Sequence, residues 1–210
     1  MKRAAALAGV ALFALAGCSS QAPGQASPEP SSVPASQPAP SSAADQLPGP
    51  GVPKVENPID TTQVAKNPCM VLTDEQVQLV FGYAVQASPR PDGAAGPACS
   101  WDGDAAHGYP RVGVVVTNAD KRGLTSVYAA KGTGYKFFQP LTPVSGYPAA
   151  AYDVSADRRP GECNMAIGVS DTQVIDLEVM QPKARIGSKD PCESGRQVAA
   201  MMIGNLQGGH

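Results

Sequence analysis

The chain contains few of the residues on which enzymes depend. It has two histidines, His107 and His210, and only 16% of its residues are charged. A nucleophile that is activated by a neighbouring base usually needs a histidine in the same site. The chain also lacks the Gly-x-Ser-x-Gly elbow, a phosphate-cradling glycine loop and the His-Glu-x-x-His zinc motif. We therefore predict that the protein is not an enzyme and has no catalytic residue and no cofactor.

Long apolar runs and clusters of basic residues are missing as well. Sixteen Lys and Arg residues stand against 18 Asp and Glu residues, for a net charge of −2. Without a basic stripe to follow a phosphate backbone, we expect no nucleic-acid partner. The longest mainly apolar run, Ala4 to Ala16, spans about 13 residues, which is fewer than the roughly 20 that a transmembrane helix needs.

This apolar run has the setting of a secretory signal peptide, predicted at residues 1–17. Lys2 and Arg3 precede it and small residues follow it; a short N-terminal core helix is the alternative. Leu15-Ala16-Gly17-Cys18 resembles the lipobox of bacterial lipoproteins, in which the cysteine thiol receives a diacylglyceryl group and the signal peptide is removed. We therefore predict that Cys18 is lipidated, with palmitate-type chains, and anchors the protein on the outer face of the plasma membrane.

Residues 18–56 are predicted to hold the lipidated cysteine and a disordered linker. Between Ser19 and Pro53 there are nine prolines, eight serines, two charged residues and no aromatic residue. Such a stretch buries too little apolar surface to offset the entropy of ordering it. We expect that removing residues 19–53 leaves the melting temperature of the domain nearly unchanged. O-linked sugars on the serines are an open alternative.

Four further cysteines lie where the composition is that of a globular domain: Cys69, Cys99, Cys163 and Cys192. Their number is even and the predicted compartment is oxidising, which favours two disulfides. A zinc site would need close pairs, whereas the smallest gap here is 29 residues, so we predict no metal. Of three connectivities we predict Cys69–Cys99 and Cys163–Cys192, because each pair joins the start of a predicted helix to a neighbouring predicted strand.

Two helices are predicted from their capping residues. In TDEQVQLVFG, Thr73 and Gln76 form a capping box, and Gly82 suits the left-handed stop. In DPCESGRQVAAMMIGNL, Asp190 is the cap and Pro191 takes the first helical position. Apolar residues recur at helical spacing in both stretches, so each helix should bury one side.

Between these helices, alternating apolar residues predict strands. Strands are predicted at 98–102, 110–118 and 147–155, a hairpin of two strands at 163–181, and a weak helix at 121–132. This order favours an α+β fold in which an antiparallel sheet carries the N-terminal and C-terminal helices on one face. We predict a single globular domain over residues 57–207, followed by a tail at 208–210.

A few residues in or near predicted turns could bind a ligand, and each has a structural alternative. Asp102, Asp104 and His107 could reach one metal ion, but we favour a solvated hairpin loop. Trp101 could be an exposed platform, but next to a predicted disulfide it is more typical of a core residue. The two arginines at 158–159 could clamp an anion, yet in a Pro/Gly loop we expect both to be solvated. The ligand-binding residues are therefore unknown at this point.

Four motifs, taken in order, resemble a known family. They are NPCMVLTDEQVQLVFG, ACSW, GYPA and CESGRQVAAMMIGNL, and they follow the lipobox and the proline-rich linker. Together they resemble the actinobacterial lipoproteins of domain-of-unknown-function family 3558, over about residues 57–207. The resemblance implies an extracytoplasmic, lipid-anchored, disulfide-bonded domain. It implies no activity and transfers no catalytic residue, because the family has none established.

Three functions are compatible with these expectations. We favour a binding or accessory module of the cell envelope that contacts a protein, a glycan or a lipid; an apolar or aromatic patch rimmed by polar residues would indicate it. A carrier of a small hydrophobic ligand would need an apolar cavity of several hundred Å³ under the sheet. A hydrolase, the least favoured, would need a cleft with converging titratable residues and shifted pKa values.

Replacing Cys18 by Ala should release the protein from the membrane without unfolding the domain. The anchor is chemically separate from the fold and lies about 40 residues before it, and stable anchoring needs the acyl chains. Cell fractionation followed by immunoblotting measures the release. A Cys18→Ala protein that stays with the membranes after a high-salt wash would rule out lipid anchoring at this residue.

Overall fold

The central feature of the fold is an antiparallel sheet of seven strands. The computed structural model describes residues 46–117 and 120–208; the predicted signal peptide, Cys18 and residues 19–45 lie outside the described residues. The strands are β1 (Ala87–Arg90), β2 (Ala98–Asp102), β3 (Arg111–Val116), β4 (Phe137–Val144), β5 (Tyr147–Asp153), β6 (Glu162–Ser170) and β7 (Gln173–Met180). They lie in the order β1-β2-β3-β7-β6-β5-β4, which confirms the predicted antiparallel α+β class.

The hairpin of β6 and β7 forms the middle of the main core. Met165 and Ile167 on β6 pair with Leu177 and Ile175 on β7, and all four side chains are almost completely buried. Every second side chain of a strand points to the same face, so these residues share one side of the sheet. The hairpin predicted at 163–181 is thereby confirmed.

The sequence patterns missed the two strands at the edges of the sheet, β1 and β4. β1 contains Pro89, and β4 contains Pro140 and Pro143. A proline cannot donate a ladder hydrogen bond, so a run that contains one does not look like a strand, and within a sheet proline is tolerated mainly at an edge. The prolines also hinder the pairing of these edges with strands of other chains.

In the described part of the chain, four α-helices flank the sheet: α1 (Thr62–Lys66), α2 (Asp74–Phe81), α3 (Leu124–Ala129) and α4 (Pro191–Gly208). The capping box of α2 is confirmed, since Thr73 and Gln76 each accept a hydrogen bond from the other's backbone amide. Gly82 ends this helix in the left-handed conformation, as predicted. At the start of α4, Asp190 accepts a hydrogen bond from the Cys192 amide. No helix in the described ranges has both the length and the apolar character needed to cross a membrane.

The helices cover both faces of the sheet. α4 packs on the face of β6 and β7 that forms the main core. α3 packs on the opposite face, where Leu124 and Val127 meet Ala166. This approach is close because Gly168 has no side chain: a Cβ there would lie 2.8 Å from a Leu124 carbon. α3 therefore departs from the expected single helical face, and it spans fewer residues than the predicted 121–132.

Two disulfides hold helix starts against strands. Cys69, in a short 3-10 turn before α2, is bonded to Cys99 on β2, with Cα atoms 5.1 Å apart. Cys163 on β6 is bonded to Cys192 in the first turn of α4, with Cα atoms 5.0 Å apart. The predicted pairing is confirmed. Each bridge closes a loop of about 30 residues, which is worth roughly 3–4 kcal/mol in the loop-closure model.

The described end of the predicted linker packs against the domain, and we call residues 49–55 the strap. The Gly49 amide donates to Thr125 Oγ1 at 3.0 Å, and the Val55 amide donates to Asp171 Oδ1 at 2.9 Å. The Val55 side chain is 4% exposed, and a Cβ at Gly168, on the face that carries α3, would lie 3.4 Å from its Cγ2. The folded part therefore begins before the predicted boundary, because the strap finds acceptors for its amides and a buried site for its valine. A deletion of residues 19–53 would remove part of the strap, so the expectation of an unchanged melting temperature is transferred to a smaller deletion, of residues 19–45.

Removing the strap should destabilise the domain, whereas removing the preceding part of the linker should not. Deletion of residues 46–56 exposes the core around Val55 and removes two hydrogen bonds, so we expect a loss of about 2–4 kcal/mol. Deletion of residues 19–45 should have little effect, because their composition predicts disorder. Urea denaturation of the two variants measures the difference. Equal stability of both variants would contradict a structural role for the strap.

Candidate functional site

One face of the sheet is only partly covered by α3, and we call its uncovered part the open face. One row of residues crosses five neighbouring strands of it: Ser100 on β2, Gly113 on β3, Glu178 on β7, Asn164 on β6 and Tyr152 on β5. Residues paired in this way point to the same side of a sheet. Because Gly113 has no side chain and Ser100 has a small one, the row forms a trough that Tyr152 bounds at one end.

Two depressions, of about 320 Å³ and about 260 Å³, lie along this trough, and together we call them the cleft. They share Tyr152 and Asn164. The β5–β6 loop bounds the first depression, and residues of β1, β3 and β7 line the second. Five acidic and three basic residues contribute to the lining: Asp153, Asp157, Glu162, Asp176, Glu178, Arg90, Arg111 and Arg159. The lining of the cleft therefore carries an excess of negative charge.

A hydrogen-bonded pair in the cleft joins Asp176 on β7 to Tyr152 on β5. The Tyr152 hydroxyl donates to Asp176 Oδ1 at 3.0 Å. Burial raises the pKa of the Asp176 carboxyl to about 6, and the hydrogen bond from Tyr152 opposes this only in part. Burial, and after it the neighbouring Asp176 charge, also raises the pKa of Tyr152. Asp176 forms no ion pair within the described part of the chain, so its charge has no counter-ion there.

Arg111, which lines the second depression, is held between two carboxylates. Its Nη1 lies 2.5 Å from Asp102 Oδ1, and its Nε lies 3.4 Å from Glu178 Oε2. All three side chains are partly exposed, so these pairs contribute little to stability. They do fix the position of the guanidinium. Arg111 is thus engaged by its neighbours on β2 and β7, which leaves Asp176 uncompensated.

Glu162, at the start of β6, lines the first depression with a side chain that is only 7% exposed. The Asn164 amide donates to its Oε1 at 3.0 Å. Its Oε2 is buried and accepts no hydrogen bond; the Nη1 of the mostly exposed Arg159 lies 3.1 Å away without hydrogen-bond geometry. A buried acceptor without a donor is costly. The lining of the cleft therefore keeps an acceptor that the fold itself does not satisfy.

Exposed apolar side chains lie at one end of the sheet, which we call the distal end. β2, β5 and β7 run in the same direction, so the loops that follow them lie together. These loops carry Tyr109, Val154 and Ile186, which are 54%, 69% and 41% exposed. The strap binds at the opposite end, where Asp171 forms the β6–β7 turn. Because β6 spans nine residues, the two ends are about 30 Å apart.

The residues of the predicted metal alternative do not converge. Asp102 is paired with an arginine on β3, whereas Asp104 Oδ1 and His107 Nδ1 lie 2.6 Å apart. The His107 ring also stacks on Tyr83, with ring centres 3.7 Å apart. Within the described ranges, no three His, Cys, Asp or Glu side chains form a group suited to a metal ion. Trp101 is 2% exposed, which confirms it as a core residue.

The two arginines of the β5–β6 loop differ in their surroundings. Arg159 is 73% exposed, as expected for a solvated side chain. Arg158 instead lies over the Phe137 ring, 4.6 Å from its centre, and its Nη1 lies 3.0 Å from Cys192 Sγ. The expectation was wrong for Arg158, because the fold brings an aromatic ring and a disulfide against a loop residue that looks polar in the sequence.

The cleft itself was not found from the sequence. Asn164, Asp176 and Glu178 alternate with core residues, so they look like the solvent side of half-buried strands. They meet Arg111 and Tyr152 only because β7 lies between β3 and β6 in the sheet. The amino-acid composition does give one indication of an acidic surface. Between residues 161 and 182 the polar positions include acids and amides but no lysine or arginine.

The chain matches a known protein family. The family model described as "Protein of unknown function (DUF3558)" matches residues 13–205. No curated protein and no solved structure matches the chain. The matched range covers most of the chain, including nearly all of the described part, and it confirms the family that the four motifs resemble.

Changing Asp176 to Asn should stabilise the folded protein at neutral and alkaline pH. A raised pKa means that the folded state gains stability as the pH falls through about 6 towards 3.8, so the ionised form is the unfavourable one. Asn cannot ionise and still offers Tyr152 an acceptor. We expect a gain of about 1–3 kcal/mol at pH 8 that disappears near pH 4.

Thermal melts of the two proteins between pH 4 and pH 8 measure this effect. Glu178→Gln, two residues away on the same face of β7, is the matched control and should give no comparable gain. A gain for Asp176→Asn that is the same at pH 4 and pH 8 would contradict the assignment of the effect to ionisation.

Proposed function

The chain belongs to the DUF3558 family of proteins of unknown function, and we propose that it is a lipid-anchored binding module of the cell envelope. In this proposal Cys18 carries the lipid on the outer face of the plasma membrane, and the cleft with the distal end forms the binding surface. The partner is another component of the envelope, a protein, a glycan or a lipid. No chemical step is assigned to the protein.

The location is supported by two independent features. The lipobox-like residues 15–18 follow a signal-peptide pattern, and a proline- and serine-rich stretch follows them. The two disulfides of the domain suit an oxidising compartment outside the cytoplasm.

The strap contacts the domain at the end opposite to the distal loops. A tether that joins at that end leaves the cleft and the exposed apolar side chains free for a partner.

The observation that carries the proposal is the uncompensated Asp176 in the cleft. A carboxyl group whose ionised form lowers the stability of the fold is not explained by the fold. Perturbed groups of this kind cluster at binding and catalytic sites. The adjacent distal loops add Tyr109, Val154 and Ile186, which offer apolar contacts next to the polar cleft.

The two alternatives have less support. A carrier of a hydrophobic ligand would need an apolar cavity. The first depression is lined largely by charged and polar residues, and the second mixes apolar residues with four charged ones. A hydrolase has one supporting observation, the raised pKa of Asp176 in a cleft. However, no histidine lines the cleft, and the one described hydrogen bond of the Asp176 side chain comes from Tyr152. We therefore retain the binding module.

A photocrosslinking amino acid at position 154 should capture a partner that the same amino acid at position 79 does not. Val154 lines the cleft and is 69% exposed, and Leu79 on α2 is 73% exposed, so the two positions differ in place rather than in accessibility. Illumination of intact cells followed by mass spectrometry of the adducts makes the comparison. Identical adducts from both positions, or none from position 154, would contradict the proposed binding surface.

A further inference from the structure

Most hydrogen-bond donors of the cleft are already in use. Three side-chain donors each reach a carboxylate of the same face: Tyr152 donates to Asp176, Asn164 to Glu162 and Arg111 to Asp102. Arg111 Nε is buried without a hydrogen-bond partner, and it lies 3.4 Å from Glu178 Oε2. Arg90 is the lining cation that forms no ion pair within the described residues. A ligand that needs donors from the protein, such as a phosphate or a carboxylate, is therefore limited to these two arginines.

Several acceptors of the cleft receive no hydrogen bond from the described residues. They are Asp176 Oδ2 and Asn164 Oδ1, which line the second depression, and the Glu178 carboxylate, whose nearest donor is Arg111 Nε at 3.4 Å. The buried Oε2 of Glu162 accepts none either, because Arg159 Nη1 lies 3.1 Å away without hydrogen-bond geometry. A lining with more free acceptors than free donors favours a ligand that donates hydrogen bonds.

An aromatic pair lies beside these acceptors. The rings of Tyr152 and Tyr135 lie 4.3 Å apart, and the Tyr152 hydroxyl is bonded to Asp176. A cation is attracted both by a carboxylate without a counter-ion and by the face of an aromatic ring. The same cation would compensate the charge that Arg111, engaged with Asp102 and Glu178, does not compensate.

We propose that the cleft binds a ligand that presents a protonated amine, which pairs with Asp176 beside Tyr152 and donates to Asn164 and Glu178. This inference rests on the proposed use of the cleft as a binding site. It names the chemical class of the group that is bound, and it covers both a free amine and an amine carried by a larger envelope molecule.

The groups around Asp176 set the pH dependence of such binding. Tyr152 faces it from β5, Tyr135 faces it from the turn after α3, and Glu178 lies on the same strand. Arg111 is engaged with Asp102 and Glu178. Arg90 stands in the same cross-strand row as Asp176 and lines the same depression, but its backbone is three strands or about 14 Å away and it forms no ion pair with Asp176. With a pKa of about 6, Asp176 is ionised to about nine-tenths at pH 7 and about one-tenth at pH 5, so affinity for an amine should fall about tenfold.

Titration with glucosamine and with N-acetylglucosamine tests the proposal, because the two sugars differ in whether the amine is free. The protein is the full-length Cys18→Ala chain, and the readout is the shift of backbone amide signals by NMR. We expect saturable shifts in β5, β6 and β7 with glucosamine, and with putrescine as a second amine, but not with N-acetylglucosamine. Asp176→Asn should weaken amine binding at least tenfold. Glu193→Gln, which removes the same charge from α4, should leave it unchanged.

Several outcomes would overturn the proposal. They are equal binding of the two sugars, no saturable shift with either amine, unchanged binding by Asp176→Asn, and amine affinity that does not fall at pH 5. In a parallel titration with Ca²⁺, saturable shifts with the metal ion but with neither amine would overturn it as well.

If the amines fail while position 154 still gives adducts that position 79 does not, the ligand class is wrong and the binding module stands. If the amines bind while both positions give identical adducts, the partner-binding role of the distal end is wrong and the amine site stands.

Discussion

The packing of α4 on the β6–β7 hairpin is the contact on which the rest of the structure depends. The helix buries Val198, Met202 and Ile203 against the main core, and the Cys163–Cys192 bridge holds its first turn to β6. This contact accounts for the apolar side of both central strands. The opposite side of the same strands is then free to carry polar residues, because the domain already has its core.

Because the main core occupies one face of the sheet, the second face does not have to be covered completely. α3 and the strap cover only the part of it that contains Ala166 and Gly168, where small residues permit close packing. Beyond them the same strands continue with Asn164, Asp176 and Glu178. A rigid sheet with one face buried by a helix is a suitable support for a binding site, because its backbone positions are set by packing elsewhere.

The polar groups of the cleft are arranged in pairs that hold one another in place. Arg111 is fixed by Asp102 and Glu178, and Glu162 is fixed by Asn164. The ion pairs of Arg111 contribute little to stability, because their side chains are partly exposed. Their effect is to orient the lining while Asp176 remains without a cation. The ionised carboxyl of Asp176 lowers the stability of the fold. Such a cost at a single residue of a cleft is expected where a binding function and the stability of the fold make opposite demands.

The sequence by itself determined the features that rest on local chemistry: the capped starts of α2 and α4, the β6–β7 hairpin, the pairing of cysteines near element boundaries and the family. Only the tertiary structure decided the rest. The edge strands were hidden because Pro89, Pro140 and Pro143 are read as breaks until a neighbouring strand is present. The cleft was hidden because its residues lie on five strands, and their convergence depends on strand order and on Gly113 leaving a trough, which no local pattern encodes.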